Sequence, residues 1–328
     1  MILTVTPNPA LDLTWHVERL VEGGTHRADA GVARAGGKGL NVARVAHAEG
    51  AEVLALTTAG GKVGEEFATE LRASAVPHVL VPVAAETRRS IAIVDEARGD
   101  TTIINERGAN PSDTEWATLF AEVVERVPTV SVLVVSGSVP PGAPESLVPM
   151  LLAVAKDAGV PVIVDTSGPA LLRAADAGAT VLKPNAAELS EATGIADPIQ
   201  GARSLIARGT ELVLLSLGAD GMLAVTASDL VHARLDQPLA GNPTGAGDAG
   251  VAACAVLYAD GVRDPEQILR RATAWSAAAV LTPLAGDISP RWTDLEQQLL
   301  LSHPDSESFR PDSESFRPDS ESFRKDPS

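Results

Sequence analysis

Apolar runs alternate with helical patterns along most of the chain. Runs rich in β-branched residues occupy positions 2–6, 52–57, 131–136, 160–165, 180–183 and 211–216. Their length and composition predict strands that are buried on both faces, as in a parallel sheet. Helical patterns lie between these runs, at 114–126, 144–158 and 198–207. The alternation predicts an α/β fold in which a doubly wound, mostly parallel sheet is flanked by helices.

Two regions depart from this pattern. Residues 11–35 and 87–105 contain alternating, partly polar strand segments, and a turn at 96–100 predicts a hairpin in the second region. These two regions predict a small sheet that is separate from the main one. Both sheets are expected to belong to a single domain, residues 1–303. The remaining residues, 304–328, contain three copies of a polar seven-residue unit, beginning at 304, 311 and 318. Because this segment has so little apolar surface to bury, we expect a disordered tail.

Charge and composition exclude several classes of partner. The chain has 328 residues, 45% of them hydrophobic, and a formal net charge of −17. It can bury a large core by itself, but nucleic acids and anionic membrane surfaces are poor partners for so acidic a protein. No apolar stretch is long enough to cross a bilayer. Because the single cysteine, Cys254, cannot form an internal disulfide, we expect a cytoplasmic location.

The segment from Asn242 to Asp248 carries the clearest chemical signal. It reads NPTGAGD and leads directly into an apolar helix, so it places a carboxylate among glycines at a helix N-terminus. Unpaired N–H groups at such a position bind anions, which a carboxylate would repel. The conflict is resolved if Asp248 takes a proton from a hydroxyl while the N–H groups hold a phosphoryl group. The competing interpretation is a tight loop in which Asp248 only stabilises its helix.

Glycine spacing alone identifies no nucleotide site. The letters GAGDAG match a dinucleotide-binding pattern, but a long helix and a loop follow them, so NAD binding is rejected. A second glycine cluster at 35–45 reads AGGKGLNVARV and also opens a helix. It is not a P-loop, because Val32 stands at the position of the first glycine and Gly39 follows the lysine where Ser or Thr is needed.

Taken together, the glycine-rich segments GGKGLNVARV and NPTGAGDAG resemble the two signatures of the ribokinase-like (PfkB) carbohydrate kinase family. TVTPNPALD at 4–12, SGSVPPG at 136–142 and KPNAAEL at 183–189 resemble further segments of that family, in the same order. The resemblance covers about residues 1–300. The opening TPNPALD and the lysine of GGKG are most similar to the hexose-phosphate branch, which contains 1-phosphofructokinases and tagatose-6-phosphate kinases.

The resemblance implies roles for individual residues. Asp248 would be the catalytic base, and the Gly245, Ala246 and Gly247 amides would hold the transferring phosphoryl group. The residues implied to bind the substrate are Asp12, Gly36, Gly37, Lys38, Asn41, Arg88, Arg27 and Ser138. Arg88 is the preferred contact for the phosphate of the sugar, because a guanidinium can bind two phosphate oxygens at once; Arg89 and a solvated Arg88 are the alternatives.

The nucleotide and metal contacts come from the same resemblance. The residues implied to bind ATP are Lys183, Asn185, Ser216, Gly218, Thr244 and Gly247, with the nucleobase against residues 274–282. Asn185 and Glu188 would order a hydrated Mg²⁺. The alternative for Glu188 is an acidic residue that only stabilises the start of its helix.

The implied function is an ATP-dependent kinase of a hexose phosphate, with fructose 1-phosphate, converted to fructose 1,6-bisphosphate, as the first expectation. Tagatose 6-phosphate and fructose 6-phosphate are alternative substrates. A kinase of unphosphorylated sugars or nucleosides and a non-catalytic sugar-phosphate sensor are further alternatives. In the family, the small sheet forms a lid over the sugar and, in some members, a dimer contact, so a homodimer through the lid is also implied.

Overall fold

The apolar runs form strands in the computed structural model, which describes residues 1–304. The tail expected at 304–328 therefore lies outside the described residues except for its first position. In chain order the strands are β1 (Ile2–Thr6), β2 (Ala10–Val17), β3 (Val32–Gly36), β4 (Val53–Ala59), β5 (His78–Pro82), β6 (Arg88–Asp95), β7 (Asp100–Asn105), β8 (Val132–Ser136), β9 (Val162–Asp165), β10 (Val181–Leu182), β11 (Leu212–Ser216), β12 (Met222–Val225), β13 (Leu230–Arg234) and β14 (Leu300–Ser302).

Ten of these strands form one sheet in the order β14-β13-β12-β11-β10-β9-β8-β1-β4-β5. The strands from β11 to β5 run parallel to their neighbours, whereas β12, β13 and β14 pair in antiparallel fashion at one edge. The predicted fold class, a mostly parallel sheet flanked by helices, is confirmed.

Helices cover both faces of this sheet. They are α1 (Lys38–Ala48), α2 (Gly61–Ala73), α3 (Asp113–Arg126), α4 (Leu147–Asp157), α5 (Pro169–Asp176), α6 (Ala186–Thr193), α7 (Pro198–Arg208), α8 (Ala246–Ala259), α9 (Pro265–Val280) and α10 (Trp292–Gln298). Strand β8 shows the layering, because Val132 and Val134 pack in the core with α1, α8 and α9, while Leu133 and Val135 pack in the core with α3, α4 and α7. Two buried faces explain why the strands are continuously apolar. None of the described helices is long and apolar enough to cross a membrane.

The two polar regions form the predicted small sheet, with strand order β3-β2-β6-β7. Strands β6 and β7 make the expected hairpin across residues 96–99. Strand β2 joins this hairpin in parallel to β6 and pairs with β3 in antiparallel fashion. Because β2 follows β1 after three residues and β3 leads directly into α1, the small sheet lies beside the carboxyl end of β1.

Candidate active site

One cavity of about 1220 Å³ lies at the carboxyl ends of the parallel strands, where ligands bind in open α/β sheets. Its wall combines the small sheet, the loops after β1, β8, β9, β10 and β11, and the N-terminal ends of α1 and α8. Asn8 follows β1 and Ser216 ends β11, and both line the cavity. Four strand spacings, about 19 Å, separate these two strands, so the cavity is long enough for two ligands end to end.

Helices α1 and α8 meet at the middle of the cavity. Both begin after a glycine with positive φ, Gly37 at 109° and Gly245 at 84°, which a residue with a Cβ adopts only with strain. The side-chain amide of Asn41 in α1 donates a hydrogen bond of 2.8 Å to Oδ2 of Asp248 in α8. Asp248 is only 5% exposed, so this bond fixes the carboxylate in the cavity wall.

The pKa of Asp248 is raised to about 7, chiefly by burial and also by the nearby carboxylate of Asp165. Lys38, the hydrogen bond from Asn41 and the ammonium of Lys183 act in the opposite direction. A carboxylate with a pKa near 7 accepts a proton more readily than an ordinary aspartate and is still largely ionised at slightly alkaline pH. These are the properties of a general base.

The backbone amides beside Asp248 differ in their hydrogen bonds. The Ala246 amide donates to the carbonyl of Pro243 at 3.1 Å. Within residues 1–304, the amides of Gly245 and Gly247 donate no hydrogen bond. Of the three amides expected to hold a phosphoryl group, those of the two glycines therefore have unused hydrogen-bonding capacity at the positive end of α8.

The ammonium of Lys38 lies between the carboxylates of Asp165 and Glu188. Its Nζ is 3.0 Å from Asp165 Oδ1 and 3.3 Å from Glu188 Oε1. Burial alone would lower the pKa of Lys38, but these carboxylates raise it well above its usual range. The ammonium stays charged and holds together the end of β9, the start of α6 and the start of α1.

The start of α6 brings the predicted nucleotide and metal residues together. Asn185 Oδ1 accepts the Glu188 N–H at 2.8 Å, and Glu188 Oε2 accepts the Asn185 N–H at 3.0 Å, which is a reciprocal capping box. Asn185 also forms a parallel bridge with Ser216 at the end of β11. Lys183, 3% exposed, lies beside Gly247, since a Cβ built there would be 3.1 Å from its Nζ. Ser216, Gly218 and Thr244 line the cavity at the same end.

Asp12 in β2 projects into the cavity at the small-sheet end. Gly36 is packed directly against its carboxylate, so any side chain at position 36 would displace it. Burial raises the pKa of Asp12 to about 7, although Arg88, Arg34 and Arg44 oppose the shift. A carboxylate in this setting accepts hydrogen bonds from hydroxyl groups, as expected of a sugar contact.

Arg88 occupies the same end and is held by backbone carbonyls. Its Nε and Nη2 lie 3.3 Å from the carbonyl oxygen of Asn8, and its Nη1 lies 3.1 Å from that of Glu106. Asn8 in turn donates from Nδ2 to Ser138 Oγ at 3.1 Å. Strand alternation places Arg88 and Ser90 in the cavity wall, whereas Arg89 between them does not line it.

Most residues that the sequence singled out line this one cavity, and two do not. Gly36 stands behind Asp12, and Arg27 lies in the exposed segment between β2 and β3. Sequence reasoning did not select Asn8 or Arg107, both of which line the cavity. Asn8 is part of the quoted TPNPALD segment, but nothing in the pattern distinguishes a side chain that points into a site from one that caps a turn.

Comparison with known proteins identifies the family. Residues 6–292 match the pfkB family of carbohydrate kinases. The chain belongs to this family. It is 35% identical to the 1-phosphofructokinase of Xanthomonas campestris pv. campestris, over 88% of this chain and 93% of that protein. It is 37% identical to the 1-phosphofructokinase of Haloferax volcanii, over 82% and 87% of the two chains.

Among solved structures, phosphofructokinase-2 from Escherichia coli in complex with fructose-6-phosphate superposes with a TM-score of 0.80. The identity is 30%, and the match covers 90% of this chain and 97% of that one. Membership of the pfkB family shows that the protein is a phosphotransferase that acts on a sugar hydroxyl. The expected family, fold and reaction class are thereby confirmed.

Proposed function

We propose that this pfkB kinase transfers the terminal phosphoryl group of ATP to fructose 1-phosphate, which gives fructose 1,6-bisphosphate and ADP. The observation that carries the proposal is the position of Asp248, a buried carboxylate with a raised pKa beside unused backbone amides. It lies in the middle of a cavity whose small-sheet end contains Arg88. The curated relatives named 1-phosphofructokinase support fructose 1-phosphate as the substrate.

The chemistry follows from these positions. Asp248 accepts the proton of the sugar hydroxyl while the oxygen of that hydroxyl forms a bond to the γ-phosphorus of ATP. At the same time, the bond between the γ-phosphorus and the β-phosphate oxygen of ATP breaks, which releases ADP. The amides of Gly245 and Gly247 donate to the oxygens of the transferring group, where negative charge is concentrated. Asn41 holds the carboxylate in place by its 2.8 Å hydrogen bond. Asp12 and Asn41 hold the sugar hydroxyls, so that the acceptor oxygen faces Asp248.

ATP and Mg²⁺ are the cosubstrate and metal of this proposal. The end of the cavity near Ser216 and Gly218 also contains Thr273, Ala277 and Val280 of α9, a mildly apolar wall that suits a nucleobase. Asn185 and Glu188 present side-chain oxygens at the start of α6, and Asp165 faces Glu188 across the Lys38 ammonium. Such hard oxygen donors fit a hydrated magnesium ion, which would neutralise phosphate charge.

A homodimer through the small sheet also belongs to this proposal. Val32, Ile103 and Ile104 on that sheet are 49%, 43% and 55% exposed. Large apolar side chains grouped on one small sheet favour its association with another surface.

The proposal is tested by measuring ADP release with ATP and Mg²⁺ against fructose 1-phosphate, fructose 6-phosphate, tagatose 6-phosphate, fructose and ribose. We expect the highest kcat/KM with fructose 1-phosphate. A preference for fructose 6-phosphate, the ligand in the solved phosphofructokinase-2 structure, would change the substrate but keep the reaction. Turnover of bare sugars alone would reject a hexose-phosphate kinase.

The raised pKa of Asp248 predicts how activity depends on pH. The base must be ionised, and its ionised fraction is lost as pH falls below about 7. We expect kcat/KM to fall about tenfold per pH unit on the acidic side, with the midpoint near 7. An aspartate with an ordinary pKa would instead leave only the titration of the phosphate on the sugar, near pH 6, on the acidic side. The profile is measured from pH 5 to 9 at saturating ATP.

Asn41→Ala provides a control for this assignment. The hydrogen bond from Asn41 lowers the pKa of Asp248, so its removal should move the acidic limb to higher pH. A change in KM is expected as well, because Asn41 also faces the sugar, but only the position of the limb reports on the base. A limb that stays in place in this variant would assign it to another group.

A further inference from the structure

Binding a phosphorylated sugar requires cationic side chains at the small-sheet end of the cavity, where the sugar is expected. Among the described residues, four cationic side chains line it: Lys38, Arg88, Arg107 and Lys183. Five acidic side chains line it as well: Asp12, Glu106, Asp165, Glu188 and Asp248. A doubly charged phosphate at the small-sheet end therefore needs cations that these carboxylates do not already neutralise.

Two of the four cations are committed elsewhere. Lys38 contacts Asp165 and Glu188 at 3.0 and 3.3 Å, so its charge is balanced twice. Lys183 is 3% exposed at the end of β10 and lies beside Gly247. Three strand spacings, about 14 Å, separate β10 from β1, where the sugar end begins. Lys183 thus serves the phosphates of the nucleotide.

Arg88 is at the small-sheet end of the cavity, but many of its N–H groups already donate to backbone carbonyls. All three of its nitrogens are within 3.3 Å of the carbonyls of Asn8 and Glu106. Asp12 and Glu106 are also close enough to influence its charge. Arg88 retains N–H groups for a phosphate, but it does not supply a full two-pronged contact and two positive charges by itself.

Arg107 has the opposite combination, a fixed backbone and a side chain without a partner. Its carbonyl accepts a hydrogen bond of 3.1 Å from Asn8 Nδ2. The next residue, Gly108, has φ of +84° and is packed against the Asn8 side chain and Arg88 Cδ. The guanidinium is exposed and makes no hydrogen bond or ion pair with any residue between 1 and 304.

From this arrangement we propose that Arg107 is a substrate-specificity residue, which binds the phosphate already carried by the sugar together with Arg88. The inference rests on the proposed function, since it assumes a phosphorylated sugar in this cavity. Asn8 is the element that unites the two arginines, because its carbonyl holds the guanidinium of Arg88 and its amide holds the backbone of Arg107. The phosphate replaces the water around the Arg107 guanidinium with a bidentate, charge-assisted contact.

The test is Arg107→Gln, measured in two ways. The affinity for fructose 1-phosphate is determined by calorimetry, and KM is determined for both substrates. We expect Kd and KM for fructose 1-phosphate to rise about 10- to 100-fold, because a charged hydrogen-bonding partner is lost. The kcat and the KM for ATP should change less than about twofold. Arg107→Lys should retain part of the affinity that Arg107→Gln loses, since lysine keeps the positive charge but cannot form a bidentate contact with the phosphate.

Arg89→Gln is the matched control, because Arg89 is on the same small sheet and does not line the cavity. Arg89→Gln removes the same positive charge as Arg107→Gln. If both variants raised Kd for fructose 1-phosphate equally, the effect would be long-range electrostatics rather than direct contact, and the proposal would be overturned. An unchanged Kd in Arg107→Gln, with a wild type that turns over fructose 1-phosphate, would also overturn it and leave the kinase assignment intact. A wild type inactive on every hexose phosphate would reject the proposed function, while calorimetry would still decide whether Arg107 binds a sugar phosphate.

Discussion

Asp248→Asn is expected to lower kcat by about 10²- to 10⁴-fold while leaving the affinity for the sugar phosphate within a few-fold of wild type. The amide is nearly the same size as the carboxylate and can still accept the hydrogen bond from Asn41. What it lacks is the ability to take a proton from the acceptor hydroxyl. The comparison requires kcat by ADP release and Kd for fructose 1-phosphate by calorimetry.

The stability of this variant separates catalysis from folding. Because burial raises the pKa of Asp248 in the folded state, its unfavourable contribution to stability grows from about pH 4 and is fully present above about pH 7. Removing the charge should therefore leave Tm at pH 8 unchanged or higher. Asp157→Asn, at an exposed position at the end of α4, is the control for the chemistry of the substitution itself. Near-normal turnover in Asp248→Asn would show that another group is the base.

The main sheet was largely predictable because its strands are buried on both faces. The run at 131–136 is apolar from Val132 to Val135, and β8 (Val132–Ser136) is observed within it. Strands β12 and β13 were not predicted. They form a short antiparallel hairpin without an intervening helix, so the strand–helix alternation that identified the others is absent there. Strand β10 covers only Val181–Leu182 of the expected 180–183.

The site was predicted less completely than the fold, and the reason is physical. Sequence segments indicate which residue types occur near strand ends, but not which charges pair across the chain. Lys38 is among the residues implied to bind the substrate and lines the cavity, but the sequence does not indicate its contact with Asp165, which is 127 positions away. Arg107 was overlooked because a lone arginine after a strand resembles any solvated charge. Its significance emerges only when the partners of Lys38, Arg88 and Lys183 are known.

The loop formed by residues 283–287 lies against Gly245, so a substitution of this glycine should lower kcat. Residues 283–287 pass directly beside Gly245, and a Cβ built there would be 2.9 Å from Ala285 Cα. This loop cannot withdraw easily, because Arg34 donates to the Ala285 carbonyl at 2.9 Å and to both carboxylate oxygens of Asp287 at 2.8 and 2.9 Å. A side chain at position 245 must therefore displace the catalytic loop itself.

Gly245→Ala is accordingly expected to lower kcat by about 10²- to 10³-fold, since the amides of Gly245 and Gly247 would move away from the transferring phosphoryl group. Gly261→Ala is a close control. Gly261 has φ of +83° against +84° for Gly245, lies just beyond the other end of α8, and has no atom within 4 Å of its built Cβ. Both variants incur the strain of a left-handed alanine, about 1–2 kcal/mol, so both should lose Tm. Only Gly245→Ala should lose turnover; equal kcat in the two variants would show that phosphoryl transfer does not depend on the position of this loop.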